Sequence, residues 1–374
     1  QPFGGSRYPI WADRAGISPR RGRETGSRVR AKLESPAVKA LFLTNKEGTP
    51  STRWRILQLI PRLRSAGLQC DVVELPGGMI GKLGAVQHAS HYDVVVLQKR
   101  LLPKLLNNRL RSHSKRLVFE FDDAVFLKRS DAGVRVSDTR ERRFRRTVRG
   151  ADAVVTPNEY LAGVARRYVE HPERVHVLPT AIDLARWTAR PPAKREGPLT
   201  IGWVGTAANS HLLEIVTAPL QKVCRRHPGL ELKVICDEAP TISGFPVRTQ
   251  PYSAETEVED IRSFDIAIAP QIEDPWTRGK VSTKLLAYFA AGLPTVASDV
   301  EAHRTLVRDG VNGFLAGTLS SWEERLEKLI ATPELRDAVG AEARKTVETE
   351  YSLEATVPRY VELFQSLVKS ADPA

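Results

Sequence analysis

The chain has 374 residues, which is long for one domain and suits two domains of roughly 150–200 residues each. Hydrophobic residues make up 41% of it, enough for ordinary cores, and no run approaches the roughly 18 apolar residues of a membrane-spanning helix. The three cysteines have neither metal-ligand spacing nor the even number of a disulfide framework. We therefore expect a cytoplasmic protein with reduced, structural thiols.

Charge is distributed unevenly along the chain. Residues 1–183 contain 34 Lys+Arg and 18 Asp+Glu, a net charge of +16, and subtraction from the totals of 56 and 44 leaves 22 and 26, a net charge of −4, for the rest. A basic half indicates contact with an anionic surface. Zinc-finger, RNP and interleaved basic–aromatic patterns are absent, which argues against nucleic acid. An anionic membrane is the predicted partner, and a solvated basic face without a partner is the alternative.

The first half of the chain begins with an arm and continues as an α/β domain. Residues 1–36 are rich in Arg, Gly, Ser and Pro and lack periodicity, so we predict a basic, disordered arm. Residues 37–183 alternate short apolar strands with amphipathic helices, the pattern of a doubly wound domain. The predicted strands are residues 39–44, 70–75, 93–97, 117–121, 152–156 and 174–178.

Three features of this first domain are candidates for function. Arg53 begins a helix predicted over residues 53–63, after the loop that follows the first strand, and is either a cleft residue or a solvated first-turn residue. Asp122 and Asp123 follow the fourth strand, at the edge where open α/β sheets bind ligands, although Asp123 can equally cap the next segment. Residues 140–149 are strongly basic with one i, i+4 apolar pair, which predicts a surface helix or a membrane-facing one.

A second α/β domain is predicted over residues 199–352, after a charged, proline-rich linker over 184–198. Its first strand leads into Gly205, Thr206 and Asn209. Gly205 allows a ligand to approach the backbone closely, and the two polar side chains can bind it or cap a helix. The chain contains neither a GxGxxG nor a Walker sequence, which excludes dinucleotide and P-loop sites of the usual kind.

The most informative stretch is residues 263–298. A buried strand over 265–269, a loop with two cations, a helix over 283–291 and a further strand are predicted there. Free backbone N–H groups and the positive end of the helix dipole meet the cations, which predicts a phosphate site. An ordinary strand–loop–helix unit with a solvated basic loop is the alternative. The candidate ligands are Arg278, Lys280, Ser282, Thr283 and Lys284.

Residues 284–298, KLLAYFAAGLPTVAS, resemble the nucleotide-sugar segment of the GT-B glycosyltransferases, specifically the retaining family 4. The sequences PSTRWR at 50–55 and GVNGF at 310–314 are similar to further motifs of that group. The resemblance covers nearly all of residues 39–369. It implies two Rossmann-like domains that face an interdomain cleft, with a C-terminal helix, within residues 353–374, that returns to the first domain.

The resemblance also implies an activity. It is the transfer of a sugar from a UDP- or GDP-linked nucleotide-sugar to a glycan or lipid-linked acceptor with retention, as in cell-surface polysaccharide biosynthesis at the inner face of the membrane. Arg278 and Lys280 would stabilise the leaving diphosphate, and Tyr252 matches the region that lies against the nucleobase. Arg53 and the acidic pair after the fourth strand would belong to the acceptor side. No cofactor and no metal are expected.

The chain departs from the family at two positions. The family normally has a Glu five residues before the helix-ending Gly, where it holds the donor ribose, and this chain has Ala287. Gly279 stands eight residues earlier, where the family often has another Glu. We expect another residue to have taken over the ribose contact. The alternatives are a non-catalytic GT-B homologue that binds nucleotide or glycan without turnover and, further away, a nucleic-acid-binding protein.

Overall fold

The computed structural model describes residues 38–130, 133–190, 198–238 and 242–370, which all belong to one unit. The predicted arm at 1–36 and most of the predicted linker lie outside the described residues. Two six-stranded parallel sheets organise the described chain, one in each half.

The first half carries one sheet and one hairpin. Its strands are β1 (Lys39–Thr44), β2 (Gln69–Glu74), β3 (Val94–Gln98), β4 (Arg116–Glu120), β5 (Leu127–Ser130), β6 (Gly133–Val136), β7 (Ala153–Thr156) and β8 (Val175–Val177). β5 and β6 form the antiparallel hairpin, and the others form a parallel sheet in the order β2-β1-β3-β4-β7-β8. β3 is buried along its whole length, because apolar clusters cover both faces of the sheet.

The helices of the first half are α1 (Pro50–Thr52), α2 (Ile60–Ser65), α3 (Met79–His88), α4 (Lys104–His113), α5 (Asp138–Gly150) and α6 (Glu159–Arg166). The single helix predicted over residues 53–63 is wrong in its middle. A π-helical turn over Arg53–Leu57 comes first, and α2 then starts with Pro61 in its first turn. Pro61 has no N–H to donate and is tolerated only near a helix start, so the helix begins again there.

The second half repeats the arrangement with six strands in the described residues. They are β9 (Thr200–Val204), β10 (Glu231–Ile235), β11 (Val247–Gln250), β12 (Ile266–Ala269), β13 (Thr295–Ser298) and β14 (Phe314–Ala316). All pairs are parallel, in the order β11-β10-β9-β12-β13-β14. The order reverses beside β9, and ligands bind open α/β sheets at such a switch point.

The helices of the second half are α7 (Ala207–Ser210), α8 (Glu214–Arg226), α9 (Glu257–Arg262), α10 (Thr283–Ala290), α11 (Glu301–Arg304), α12 (Leu319–Ala331), α13 (Pro333–Thr346) and α14 (Leu353–Lys369). α10 ends where Gly292 takes a positive φ of 70°, which a residue with a Cβ adopts only at a cost. A π-helical turn over Val347–Tyr351 separates α13 from α14.

The last helix returns to the first sheet. Val357, Tyr360 and Phe364 of α14 are buried in the same apolar cluster as Phe42 of β1 and Val96 of β3. The predicted fold is therefore confirmed: two doubly wound domains of the GT-B type, with a C-terminal helix that crosses back. A search of the described helices finds none that is both long enough and apolar enough to cross a membrane.

Candidate functional site

The carboxyl ends of the two sheets face a shared cleft of about 600 Å³. This volume lies in the usual range for a small-molecule site. Residues from both halves line it, from Ser51 and Asp122 in the first half to Lys284 and His303 in the second. Of the residues predicted for the site, the cleft brings together Arg53, Asp122, Asp123, Gly205, Thr206, Asn209, Tyr252, Lys280, Ser282, Thr283 and Lys284.

The start of α10 forms one end of the cleft. Ser282 precedes the helix without making a side-chain cap, and no acidic residue lies in its first turn. The N–H groups of this turn and the positive end of the helix dipole are therefore not compensated by a carboxylate of the helix itself. Lys280 and Lys284 stand on either side of this turn and line the same cleft. The arrangement provides donors and positive charge for an anion.

Lys284 is a cleft lysine whose ammonium lies over an aromatic ring and whose pKa is lowered. Its ammonium lies 4.6 Å from the ring centroid of Trp203, and within the described residues it has neither a hydrogen-bond partner nor a carboxylate partner. Burial, and then the like charge of Lys280, lower the pKa of Lys284 to about 7. Burial and Arg129 likewise lower the pKa of Lys280. Two half-buried ammonium groups that repel each other favour an anionic ligand between them.

Arg278 is placed differently from the prediction. Its guanidinium hydrogen-bonds to Glu273 Oε1 at 2.9 and 3.1 Å and lies 3.6 Å from Glu301 Oε2. The side chain is 46% exposed and does not line the cleft. The sequence places Arg278 two residues from Lys280, but the single turn of 3-10 helix over Thr277–Gly279 directs the two side chains to different surfaces. The geometry therefore does not support Arg278 as a ligand of a phosphate in this cleft.

The loop after β9 forms another wall. Asn209 Nδ2 donates to Thr206 Oγ1 over 3.2 Å, so these two side chains hold each other at the cleft surface. Packing alone requires a glycine at position 205, because a Cβ there would meet the indole ring of Trp203 at 2.2 Å. The ring that supports Lys284 thus also requires the glycine.

The nucleobase end of the predicted site contains a contact between the two domains. Arg53, from the first domain, donates to the Tyr252 hydroxyl over 3.3 Å. Glu257, at the start of α9, lies 3.1 Å from Arg186 and 4.0 Å from Arg53. Its side chain is only 8% exposed, and it lines the cleft beside Tyr252. Glu257 was not among the predicted site residues.

On the first-domain side, Asp122 and Asp123 share one cation. Lys99 lies 2.9 Å from Asp122 Oδ1 and also pairs with Asp123, while Ser51 donates to Asp122 Oδ2 over 2.7 Å. Burial, and then repulsion from Asp122, raise the pKa of Asp123, which Lys99 opposes. Lys99 has a φ of 57°, an unusual backbone conformation for a residue with a side chain. The pair and its lysine present both signs of charge to the cleft.

A buried ion pair underlies this wall. Arg55 Nε donates to Glu120 Oε1 over 2.7 Å, and its other nitrogens reach Leu178 O at 2.9 Å and the Tyr360 hydroxyl at 3.4 Å. Arg55 thereby ties the first sheet to the segment that follows β8 and to α14. Its position two residues from Arg53 suggests an exposed helix turn, but the π-helical geometry turns it inward.

His303, on α11, completes the floor of the cleft. Its Nδ1 lies 3.0 Å from the carbonyl oxygen of Ser298, and since a carbonyl only accepts, Nδ1 carries the proton. Burial lowers the pKa of His303 to about 4; the hydrogen bond to Ser298 opposes this shift, and the charge of Lys284 adds to it. The ring is therefore neutral near pH 7.

The two departures from the family pattern have different surroundings. Ala287 lines the cleft. Gly279 instead packs on the first domain, where a Cβ would meet Leu161 Cδ2 at 2.8 Å and Ala124 N at 3.1 Å. Its carbonyl accepts from Asn158 Nδ2 over 3.4 Å. Among the described residues, no group of three or more His, Cys, Asp or Glu side chains is arranged to hold a metal ion.

Comparison with known proteins agrees with this architecture. Residues 198–332 match the family model described as Glycosyl transferases group 1. The chain is 33% identical over 110 residues to EpsD of Bacillus subtilis, covering 29% of this chain and 27% of that protein. It is 28% identical over 226 residues to D-inositol 3-phosphate glycosyltransferase of Geodermatophilus obscurus, covering 51% and 49%. The matches thus span about a quarter and about half of these curated relatives.

Solved structures share the fold at low sequence identity. Sucrose-phosphate synthase of Thermosynechococcus elongatus aligns with a TM-score of 0.69 at 14% identity, over 89% of this chain and all of that one. HepE of Anabaena, in complex with UDP and glucose, aligns with a TM-score of 0.61 at 15% identity, over 88% of this chain and all of that one. At these identities the likeness establishes the fold.

Proposed function

Since residues 198–332 match the family model of the glycosyl transferases group 1 and the described chain has the GT-B fold, we propose that this protein transfers a sugar from a nucleotide-sugar to an acceptor in its interdomain cleft. The observation that carries the proposal is the uncapped start of α10 between Lys280 and Lys284, which lines the cleft at the switch point of the second sheet. A nucleoside diphosphate carries the negative charge that would balance these cations and N–H groups.

The reaction places its greatest electrostatic demand on the leaving group. When the bond between the anomeric carbon and the diphosphate oxygen breaks, negative charge develops on that diphosphate. Lys280, Lys284 and the first-turn N–H groups of α10 would stabilise it from fixed positions, which needs little reorganisation during the step. Transfer with retention at the anomeric carbon is proposed from the family resemblance.

A uridine donor is the first choice for testing. HepE, which has the same fold, has been solved with UDP and with UDP-glucose. In this chain, Tyr252, the two lysines beside the start of α10 and the acidic pair Asp122 and Asp123 all line the one cleft. We assign the acidic pair, with Lys99, to hydroxyl groups of a glycan or lipid-linked acceptor, because charged groups of both signs bind hydroxyls as donors and acceptors.

The basic face of α5 supports a second part of the proposal, docking on an anionic membrane. Arg142, Arg145, Arg146 and Arg149 line a surface depression of about 270 Å³, and no described carboxylate lies within ion-pair distance of them. Juxtamembrane Lys or Arg residues contribute about 1 kcal/mol each at an anionic surface. The wild type should sediment with anionic vesicles and release as salt rises, whereas Arg145→Glu/Arg146→Glu should not sediment. Equal binding to neutral vesicles would contradict this part.

The central experiment is a nucleotide-sugar screen. Thermal shift with UDP and GDP identifies the nucleotide, since a ligand at 100 times its dissociation constant stabilises the protein by about 2.7 kcal/mol. Release of labelled nucleotide from the matching sugar donors then tests turnover. Binding without hydrolysis or transfer for any donor would favour the non-catalytic homologue, and no binding of either nucleotide would contradict the donor site itself.

A further inference from the structure

We propose that Glu257 accepts the ribose hydroxyl groups of the nucleotide in the cleft and so replaces the carboxylate that this chain lacks at Ala287. This inference rests on the proposed function, because it assigns a role inside the same donor site. It names a specificity residue on a different helix from the one that the family resemblance indicates.

Glu257 lies on the helix next to the one that carries Ala287. Glu257 begins α9, and α9 packs directly against α10, which carries Ala287. Val258 and Ile261 of α9 lie in the same apolar cluster as Ala287, so packing fixes the two helices side by side. Glu257 and Ala287 both line the cleft. A carboxylate at Glu257 therefore enters the cleft from the helix adjacent to the vacant family position.

Glu257 differs from the other carboxylates of the cleft in its burial and in the domain that carries it. Those that line the described cleft are Asp122, Asp123, Asp237 and Glu257. Asp122 and Asp123 belong to the first domain and are paired with Lys99. Asp237 is exposed, and its Oδ1 accepts from the Tyr252 N–H over 3.2 Å. Glu257 alone among these four is both buried and on the second domain.

The Glu257 carboxylate is oriented by an arginine and can still accept further hydrogen bonds. Arg186 donates to Glu257 Oε2 over 3.1 Å and holds the side chain in one orientation. Arg53 lies 4.0 Å from Oε1, which is too long for a hydrogen bond. An ionised carboxylate has about four lone-pair positions, and Arg186 and the Tyr252 hydroxyl interact with two of them, so Glu257 retains capacity for two hydroxyl donors. Two vicinal hydroxyls, as on a ribose, match that capacity.

The test compares UDP with 2′-deoxy-UDP by calorimetry. We expect the wild type to bind UDP at least about tenfold more tightly, the minimum for one hydrogen bond to a charged acceptor. Glu257→Gln should reduce the preference to below about threefold, because UDP loses both hydroxyl contacts with the carboxylate whereas 2′-deoxy-UDP loses only that of its 3′-hydroxyl. Glu257→Asp, which keeps the charge beside Arg186 but withdraws the oxygens, should also reduce it and serves if Glu257→Gln does not fold.

Two controls separate ribose recognition from other roles of Glu257. Asp237→Asn makes the same carboxylate-to-amide change in the same cleft and should keep the tenfold preference. Arg53→Met removes the contact between domains and should keep it as well, whereas loss of the preference in Arg53→Met would show that Glu257 acts only by closing the cleft. UDP binding with no ribose preference, or with a preference that survives in Glu257→Gln, overturns this inference alone. Failure of the wild type to bind UDP or GDP overturns the proposed function and this inference together.

Discussion

Lys284→Met offers the sharpest test of the diphosphate site. The substitution removes the ammonium but keeps an unbranched apolar chain against the Trp203 ring, which lies 4.6 Å from the ammonium in the wild type. One hydrogen bond to a charged group contributes about 1.5–3 kcal/mol, which corresponds to a loss of roughly 10- to 150-fold in UDP affinity. Calorimetric titration at pH 7 measures this loss directly.

The same lysine should couple binding to pH. Its pKa in the empty cleft is lowered to about 7, by burial and then by Lys280. A bound diphosphate favours the charged form and raises that pKa, so binding above pH 7 takes up a proton. The uptake should therefore grow as pH rises above 7 and approach one proton. Titrations in Tris and in HEPES, whose ionisation enthalpies differ, measure it, and the uptake should vanish in Lys284→Met.

Folding stability should depend on pH in the opposite direction to UDP binding. The ordinary pKa of 10.5 applies to Lys284 in the unfolded chain, and about 7 applies in the folded one. Between these two pKa values the unfolded state therefore binds more protons than the folded state. Burial of the charged lysine lowers the free energy of unfolding by its full amount below pH 7, and this loss disappears as pH rises to 10.5. Lys284→Met should raise the Tm of the ligand-free protein at pH 7, and the gain should shrink by pH 10.

Lys328→Met is the matched control. Lys328 also lies over an aromatic ring in the second domain, 5.5 Å from the centroid of Phe314, but it is exposed and does not line the cleft. Its replacement should leave the UDP dissociation constant within about twofold and the proton uptake unchanged. Lys284 is not a diphosphate ligand if Lys284→Met binds UDP as tightly as the wild type, or if that variant still takes up a proton at pH 8.

Three further substitutions test other parts of the site. Arg278→Ala should change UDP affinity by less than about threefold, since this side chain is paired outside the cleft, and a loss beyond tenfold would restore it as a phosphate ligand. Gly279→Val should slow transfer far more than it weakens UDP binding, because its side chain would press against Leu161 of the first domain; equal losses in both assays would argue against a domain-closure effect. Ala287→Glu should be neutral or harmful alone but should restore the ribose preference in Glu257→Gln, and a tenfold gain in the single variant would show that no residue had taken over.

Much of the fold follows from local patterns, because strands buried on both faces need continuous apolar runs. The valine-rich run predicted as a strand over 93–97 is β3, Val94–Gln98, and the helix predicted over 283–291 is α10, Thr283–Ala290. The helices α3 and α4 and the β5–β6 hairpin were not predicted, since their burial depends on neighbours distant in sequence. Helix continuity around residue 58 failed for a local reason, the proline at position 61.

The candidate site was harder to predict from the sequence. The direction in which a side chain points, and the residue with which it pairs, depend on parts of the chain that are distant in sequence. A basic loop before a helix indicated phosphate binding, but nothing in the sequence distinguishes the side of the loop that Arg278 occupies from the side of Lys280. Glu257 meets Arg186 across 71 positions, and Arg55 meets Tyr360 across 305. Lys99 could have been noticed only as the cation that directly follows the buried strand β3.

The two missing family carboxylates are therefore not equivalent losses. At Ala287 the backbone and the α10 helix keep the family form, the side chain lines the cleft, and a carboxylate is available on the adjacent helix. At Gly279 the space for a side chain is filled by Leu161 and Ala124, and the carbonyl is held by Asn158 of the first domain. Replacing Ala287 adds a group to an existing site, whereas replacing Gly279 requires Leu161 and Ala124 of the first domain to shift. The position where the family often has a second Glu is, in this chain, part of the contact between the two domains.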